Sequence, residues 1–356
     1  MKKIKILMVV EGLGIGGIET YVRSVCKHID KNRFDVSVLI VDSYNQGLPE
    51  DLADLEREGI GIFFVEKKNY LKDSLKHLRS TDVVHFQVQI LWLVLISRVF
   101  GKKVILHSHF GFVNAKVNKL KQWLMRTISN LRLAPSSTAG NWLFGQDAFR
   151  VVANGFDGHK FLFNAERRKK AREELGIKED EKVMLQVGRF GDNKNQLFSI
   201  GVLNKLMESD EKYRLVAIGQ QSDVSYINKI RKTTKELGMT EDRVALLPPR
   251  NDLEVAYSMS DLFIMPSRYE GLPYAALEAQ TNGLRCFLSD TIPREIDVSG
   301  RVIFLPIDEG VESWANAIGS AKIMRSDMRE RNTESRHNIN NSVRELEKIY
   351  IEVANG

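Results

Sequence analysis

The stretch "DLFIMPSRYEGLPYAALEAQTNG", Asp261 to Gly283, contains a short apolar run, a loop and a helical pattern. The apolar run ends at Ser267, and the loop carries Glu270 and Gly271. Pro273 stands where a first helical residue is expected, and the closing glycine is typical of a helix end. A buried strand followed at once by a helix is typical of βαβ units, which build parallel sheets.

The same alternation extends along the chain in both directions. Five runs in the first half are predicted strands: "IKILMVV", "VSVLIVD", "IGIFFVE", "DVVHFQ" and "KVILHSH". Five in the second half are "KVMLQVGR", "YRLVAIGQ", "RVALLPP", "DLFIMPS" and "LRCFLSD". Helical patterns separate them, so we predict the α/β class with two tandem Rossmann-like, doubly wound domains.

A length of 356 residues suits two domains, each with its own core. The turn-rich segment "VVANGFDGHKFLF" contains the predicted joint. We predict domains over residues 1–157 and 158–334. The tail, residues 335–356, includes the amphipathic pattern "SVRELEKIYIEVA" and is predicted to form a last helix that packs back toward the first domain.

Composition indicates an ordinary globular protein, with 43% hydrophobic and 28% charged residues. The formal net charge of +6 favours an anionic partner, such as a nucleotide, a phospholipid surface or nucleic acid. Cys26 and Cys286 lie far apart without metal-ligand spacing, which favours free thiols in a reducing cytoplasm. No apolar run approaches the roughly 18 residues of a membrane span, and the start lacks the apolar core of a signal peptide.

The loop in "LQVGRFGDNKNQ" follows the strand that opens the second half. Arg189 and Lys194 in this loop could clamp a diphosphate, the arginine through its planar fork and the lysine as a point charge. The alternative is a solvated basic loop that Asp192 partly neutralises.

Two acids lie at and inside the helix of the opening stretch. Glu270 precedes the helix start, where free N–H groups after Gly271 could bind an anion. Glu278 lies about a turn and a half inside the helix, and a carboxylate there could bind vicinal hydroxyls, as acids bind ribose. The alternative is an acid favoured by the helix dipole and another on a solvated face.

The glycine-rich stretch "MVVEGLGIGGIETYV", Met8 to Val22, contains G-x-G-x-x-G directly after an apolar strand. Asp42 closes the next apolar run, roughly where a dinucleotide-binding fold carries its ribose-binding acid. An NAD-dependent oxidoreductase is therefore one alternative, although a lone glycine match is a weak signal.

The combination of motifs resembles the family-4 retaining glycosyltransferases, which have the two-domain GT-B fold. The resemblance covers nearly the whole chain. Its core is the E-x7-E pattern "EGLPYAALE", supported by "VGRFGDNKN", "ANGFD", "PSRYEGLP" and "HSH". The stretches "HSHF", "GGIE" and "TIPREIDVSGRVIFLP" look most like enzymes that build bacterial capsular or exopolysaccharide repeats on a lipid-diphosphate carrier.

The resemblance implies transfer of a sugar from a nucleotide donor, with residues 1–157 binding the acceptor and 158–334 the nucleotide-sugar. It implies that Arg189 and Lys194 hold the diphosphate, that Glu278 binds the ribose, and that Glu270 with the N–H groups of Gly271 and Leu272 positions the sugar. His109 matches the family's first-domain histidine near the reacting sugar. Arg250 falls in the loop that resembles the family's base-binding wall. Gly16 and Gly17 match the glycine loop that follows the first strand in this family. The resemblance therefore implies that the dinucleotide fingerprint is a coincidence.

The mechanism implied is same-face attack with retention and without a covalent nucleophile. No Asp-x-Asp triplet occurs, so we expect no metal and no other cofactor. The resemblance favours UDP over GDP. A GT-B-fold sugar-nucleotide epimerase is the other alternative. The hypothesis of a nucleic-acid-binding protein is supported only by the net positive charge.

The basic amphipathic stretch "AKVNKLKQWLMRTISNLR", Ala115 to Arg132, could place a cytoplasmic enzyme at the inner face of the membrane. An ordinary packed helix with a solvated basic face explains the same pattern.

Overall fold

The computed structural model describes residues 2–14, 16–41, 49–65, 70–109, 119–145 and 148–356. Two compact units make up the chain. Met1–Asp157 and Arg336–Gly356 form the first unit, and Gly158–Ser335 form the second. The second unit is thus an insertion between two segments of the first.

The first unit is built on a parallel sheet. Its strands are β1 (Ile4–Val10), β2 (Phe34–Ile40), β3 (Gly61–Phe64), β4 (Val83–Phe86), β5 (Lys103–His107), β6 (Leu131–Ala134) and β7 (Arg150–Val151). Its helices up to this point are α1 (Gly17–His28), α2 (Pro49–Arg57), α3 (Tyr70–Arg79), α4 (Leu91–Val99), α5 (Lys119–Ile128) and α6 (Ser137–Phe144). The strand order is β3-β2-β1-β4-β5-β6-β7, so the order reverses between β1 and β4.

The second unit repeats this plan. Its strands are β8 (Lys182–Val187), β9 (Tyr213–Ile218), β10 (Val244–Leu247), β11 (Leu262–Met265), β12 (Arg285–Ser289) and β13 (Val302–Leu305). Its helices are α7 (Ala165–Glu174), α8 (Gln196–Met207), α9 (Val224–Glu236), α10 (Leu253–Met259), α11 (Tyr274–Thr281), α12 (Gly310–Ser320) and α13 (Arg329–Glu334). Strand order is β10-β9-β8-β11-β12-β13, with the reversal between β8 and β11.

Both sheets are buried on two faces, which explains their continuous apolar strands. In β1 the five residues from Ile6 to Val10 are all buried, and in β11 all four are. Ligands of open parallel sheets bind beyond the carboxyl ends of the strands that flank such a reversal. The predicted fold class, two Rossmann-like doubly wound domains, is confirmed.

The last helix, α14 (Ile339–Asn355), belongs to the first unit. It packs against α1, β1 and β4. Its Glu347 accepts a hydrogen bond from the Asp30 backbone N–H at 2.8 Å, and Glu352 forms a two-pronged ion pair with Arg150 at 2.6 Å.

Some local predictions are wrong. Strands β6, β7 and β13 were not expected, and the helix predicted over Ala115–Arg132 is shorter. Helix α5 ends at Ile128, and Leu131 and Arg132 already belong to β6. The reason is the Ser129-Asn130 break, where the Asn130 side chain accepts the Val104 N–H and its backbone N–H binds the Val104 carbonyl. Residues 115–118 lie outside the described ranges.

Candidate active site

Two loops meet beyond the strands at which the second sheet reverses. Lys194 follows β8 and Glu270 follows β11, and the Lys194 Nζ forms an ion pair with Glu270 Oε1. The side chains are 21% and 12% exposed, so the pair is largely enclosed but reachable from solvent. The structure therefore brings together two residues that are 76 positions apart in the sequence.

The backbone of the β8 loop explains how Lys194 reaches this place. Gly188 has φ +155°, and a Cβ there would lie 3.1 Å from the aliphatic stem of Lys194. Glycine thus lets the lysine side chain lie across the start of its own loop. Gln186 in β8 donates to the Lys194 carbonyl at 2.6 Å, which ties the loop to the strand.

Asn193 joins the two loops. Its side-chain amide donates to the Tyr269 carbonyl and accepts the Tyr269 N–H, both at 3.2 Å. Its own carbonyl accepts the Arg268 N–H at 2.8 Å. These three bonds hold together the residues that directly precede Lys194 and Glu270 in their loops. The sequence did not indicate this role for Asn193, because no spacing rule links positions 193 and 269.

Glu278 is buried inside α11. The Tyr257 hydroxyl of α10 donates a hydrogen bond to its Oε2 at 2.7 Å. Burial raises the pKa of Glu278 to about 7, although the hydrogen bond from Tyr257 lowers it. The alternative of a solvated acid is therefore wrong for Glu278, because the fold holds a carboxyl group in an apolar setting where its charge is costly.

The start of α11 differs by one residue from the prediction. Pro273 is the N-cap, with ψ 120°, and the helix begins at Tyr274. Gly271 and Leu272 lie between Glu270 and this cap, and the Leu272 side chain is buried.

The two other predicted cations lie apart from this centre. Arg189 is exposed in the β8 loop, where its carbonyl accepts from Gln196 at 3.2 Å. Arg250 follows β10, at the far edge of the sheet, and binds Asp252 through two bonds of 2.8 Å. The structure brings neither side chain into contact with Glu270 or Glu278.

In the first unit, the glycine loop follows β1. Helix α1 begins at Gly17, and a Cβ at Gly16 would lie 2.2 Å from the Glu19 carboxylate, so a larger residue there would displace the end of that side chain. Arg23 holds the preceding turn through bonds of 2.9 and 3.0 Å to the carbonyls of Leu13 and Gly14. Asp42 lies outside the described residues.

A stack of three histidines lies beside this loop. The rings of His85 and His107 are parallel, with centroids 5.3 Å apart, and His109 stacks on His107 at 4.2 Å. Tyr350 of α14 binds the Nδ1 of His85 at 2.7 Å, and the Nε2 of His85 faces the Nδ1 of His107 at 3.2 Å. The stack therefore connects the last helix to the carboxyl end of β5.

His109 is fixed by Gln87, which follows β4. Its Nε2 lies 2.6 Å from the Gln87 Oε1, so this nitrogen donates and the Nδ1 of the neutral ring is left as an acceptor. Burial lowers the pKa of His109, of His107 and of His85, the last to about 3. All three rings are neutral near pH 7.

Comparison with known proteins assigns this arrangement to a family. The family model of the glycosyl transferases group 1 matches residues 167–341, which include the Lys194–Glu270 pair and Glu278. Residues 167–341 are therefore those of a group 1 glycosyl transferase. The protein is a glycosyltransferase, and the predicted family is confirmed.

Relatives and solved structures extend the match over both units. EpsF of Bacillus subtilis, a protein named as a glycosyltransferase, is 26% identical over 89% of this chain and 87% of its own. The GDP-mannose:cellobiosyl-diphosphopolyprenol alpha-mannosyltransferase of Xanthomonas campestris is 26% identical over 78% and 76%. Anabaena HepE, solved with UDP-glucose, aligns over 99% of this chain and 97% of its own with TM-score 0.73. At 16% sequence identity, this structural likeness shows that the two proteins share a fold, GT-B.

Proposed function

We propose that this glycosyltransferase moves a sugar from a UDP-sugar to a glycan or lipid-diphosphate-linked acceptor in bacterial exopolysaccharide or capsule assembly, with retention of the anomeric configuration. One observation carries the proposal. Lys194 and Glu270 form an enclosed ion pair beyond β8 and β11, where an open sheet binds its ligand, and the buried acid Glu278 lies on the helix that starts directly after Glu270.

The Lys194–Glu270 ion pair explains how the site can bind a diphosphate although its lysine is already neutralised by a carboxylate. Glu270 neutralises Lys194, so neither charge is left uncompensated. An incoming diphosphate carries more negative charge than one carboxylate and attracts the ammonium group. Lys194, with the exposed Arg189, then offsets the charge that develops on the leaving nucleotide. Glu270 becomes available for the hydroxyls of the donor sugar.

Glu278 serves the nucleotide. The Tyr257 hydroxyl donates to its Oε2, and the proposed ribose contact uses the carboxylate as an acceptor for vicinal hydroxyl groups. Arg250, on the loop after β10, contacts the base, and Gly271 and Leu272 offer backbone N–H groups to the phosphate. These roles are carried over from the family resemblance.

In the first unit, His109 binds a hydroxyl or phosphate oxygen of the donor, and Gly16 and Gly17 let the backbone approach a ligand closely. The neutral state of His109 supports hydrogen bonding rather than charge stabilisation. No residue is assigned as a covalent nucleophile. We propose same-face attack, in which an oxygen of the leaving phosphate accepts the proton of the acceptor hydroxyl. Lys194 and Arg189 take the place of a metal ion.

The acceptor class rests on relatives. The Xanthomonas campestris protein is named for a diphosphopolyprenol-linked acceptor, and a similar acceptor places this chain at the cytoplasmic face of the membrane. The nucleotide rests on a weaker basis, since that relative is named for GDP-mannose and HepE was solved with UDP-glucose.

A donor screen tests the proposal. A panel of UDP- and GDP-sugars is incubated with the protein and a lipid-diphosphate-linked acceptor, and nucleotide release and product mass are measured by mass spectrometry. We expect release from a UDP-sugar, a mass gain of one sugar on the acceptor, and no effect of a chelator. Conversion of one UDP-sugar into another without acceptor would identify an epimerase. Thermal stabilisation by NAD with indifference to UDP would contradict the proposal.

A further inference from the structure

The second unit carries two clefts at the amino ends of its strands β11 and β12. One has a volume of about 280 Å³ and the other of about 240 Å³, and Phe163 and Arg325 line both. Asp261, which directly precedes β11, lines the smaller cleft, and Asn282, shortly before β12, lines the larger. Glu270 follows the other end of β11, so the clefts lie across the sheet from the candidate active site. We call them the Arg325 clefts.

Arg325 is held by neutral oxygen atoms. Its Nη1 donates to the side-chain oxygen and, at 2.9 Å, to the carbonyl of Asn282, and its Nη2 donates to the Ser260 carbonyl at 2.5 Å. The guanidinium carbon also lies 4.3 Å from the centroid of the Phe163 ring. No described Asp or Glu forms an ion pair with Arg325. Burial and the neighbouring Arg168 lower the pKa of Arg325 to about 10, as expected for a cation whose charge is not balanced nearby.

Asp261 does not supply the missing counter-charge, because two other arginines share it. Its Oδ1 accepts from the Nη2 of Arg168 at 2.8 Å, and its Oδ2 accepts from the Nη1 of Arg172 at 3.2 Å. Together with Arg325, three guanidinium groups therefore surround one carboxylate, which is an excess of two positive charges.

The positive charge continues along the same edge of the sheet. Arg285, the first residue of β12, stands opposite Arg301, because the next residues along, Cys286 and Val302, are paired in the parallel sheet. Like charges opposite each other on neighbouring strands repel. Within the described ranges neither arginine forms an ion pair, and the Nε of each is buried without a hydrogen-bond partner. This edge of the sheet therefore attracts anions.

The larger cleft adds polar and aromatic groups. Thr281 and Ser326 line it, and so does Asp327, which is matched by Arg329 at 3.6 Å. Phe163 is 38% exposed, so part of its ring can contact a bound molecule. An arginine-lined wall beside an exposed ring suits an anion that carries a small organic body.

We propose that the Arg325 clefts bind a phosphate group, either as inorganic phosphate or as the phosphate of a small ester. Guanidinium groups match the oxygen atoms of phosphate in charge and in geometry. A phosphate group carries close to two negative charges above pH 7, which balances the excess around Arg325. Binding here is independent of the proposed sugar transfer, because it needs no donor, no acceptor and none of the residues of the candidate active site.

Thermal unfolding at pH 8 tests the proposal. The protein is melted in sodium phosphate and, as the reference, in sodium chloride of equal ionic strength. We expect phosphate at about ten times its Kd to raise the Tm by about 3–6 °C relative to chloride. Equal Tm values in the two salts at every concentration would overturn the proposal.

Charge-adding variants locate the bound phosphate. Ser326→Glu and Phe163→Glu each place a carboxylate in the clefts beside Arg325, and each should remove the phosphate shift while keeping or raising the Tm in chloride. The matched control, Ser80→Glu at an exposed position of the first unit, should keep the shift. Lys194→Ala should keep it as well, because Lys194 lies at the opposite edge of the sheet.

Phenyl phosphate separates the two sources of the phosphate group. In calorimetric titrations Phe163→Ala should weaken the binding of phenyl phosphate by roughly fivefold, through loss of the ring contact, and leave that of inorganic phosphate unchanged. Unchanged affinity for phenyl phosphate would assign the clefts to inorganic phosphate. A phosphate shift that Lys194→Ala abolishes, or that both folded glutamate variants retain, would place the anion elsewhere and overturn the proposal.

Discussion

At the carboxyl ends of the strands beside each reversal, the second unit holds charged side chains and the first unit holds neutral rings. Lys194 pairs with Glu270 in an enclosed but reachable position. His109, by contrast, stacks on His107 and is bound to Gln87, and burial keeps its pKa low. The same fold thus presents a charged surface in one unit and a neutral, hydrogen-bonding surface in the other, and our proposal assigns the diphosphate to the first and sugar hydroxyl groups to the second.

Lys194→Ala should have the largest effect. Loss of one charge contact to the leaving group lowers turnover by about 10²–10³ in comparable sites. The free energy of unfolding should change far less, because the ion pair with Glu270 is partly exposed. Steady-state kinetics with the identified donor and a chemical denaturation curve supply both values. Lys205→Ala removes a lysine paired with Glu208 on the surface and serves as the control. Full activity in Lys194→Ala would show that the charged loop is not the diphosphate site.

Glu278→Gln should weaken UDP binding by roughly 1.5–3 kcal/mol, because charge-assisted bonds to the ribose are lost. Glu270→Gln should keep UDP affinity or increase it, since it releases Lys194, while turnover falls. Calorimetric titration of UDP into both variants makes the comparison. Loss of UDP affinity in Glu270→Gln but not in Glu278→Gln would reverse the assignment of the two acids.

Glu278→Gln should also stabilise the protein in alkaline solution. Glu278 has a pKa of about 7 in the fold against an ordinary 4.5, so the native state holds the proton more tightly than the unfolded chain. This stabilisation is complete below pH 4.5 and is lost as pH rises through about 7. Glutamine stays neutral, so Glu278→Gln should exceed the wild type by about 1–3 kcal/mol at pH 8 and by little at pH 5. Unfolding curves of both proteins at pH 8 and at pH 5 measure this difference in the free energy of unfolding.

Tyr257→Phe should move the pH dependence of UDP binding. Wild-type affinity should fall as pH drops below about 7, because the carboxyl group of Glu278 becomes protonated. The Tyr257 hydrogen bond lowers that pKa, so its removal should raise the midpoint by about one pH unit. UDP titrations from acid to alkaline pH measure the shift. An unchanged midpoint would mean that Glu278 does not bind the ribose.

A substitution beside the histidine stack of the first unit should change stability slightly and leave turnover unchanged. Tyr350→Phe removes the hydrogen bond to His85 and should cost about 1 kcal/mol of stability without altering turnover. Tyr21→Phe is the control, because among the described residues the buried Tyr21 hydroxyl has no hydrogen-bond partner. A large loss of turnover in Tyr350→Phe would show that the histidine stack takes part in the reaction and would weaken the contrast between the two units.

The fold could be predicted where a strand is a continuous apolar run. "ILMVV" in β1 and "LFIM" in β11 meet that condition, whereas β7 has two residues and β6, "LRLA", carries an arginine in the middle. β13, "VIFL", lies half-buried at the edge of its sheet and follows a loop rather than a regular helix. Short or edge strands depend on the neighbour that they pair with, and one sequence does not show that neighbour.

The candidate site could be predicted as a set of residues but not as an arrangement. Lys194 and Glu270 stand out by type and position relative to strand ends, yet their pairing depends on how β8 and β11 come together. Tyr257, Gln87 and Asn193 carry no motif, and each matters only because a tertiary contact places it beside a functional side chain. The burial of Glu278 also follows from packing, since "YAALEAQT" has no clear polar face.

The insertion of residues 158–335 between the two segments of the first unit sets an order for synthesis. The second unit is continuous, so it can fold on the ribosome as soon as Ser335 has left the exit tunnel. The first unit must wait with α1 and β4 uncovered until α14 has been translated and has brought Tyr350 to His85. During that interval an apolar surface stays exposed, and a chaperone that recognises nascent chains would find its binding site there.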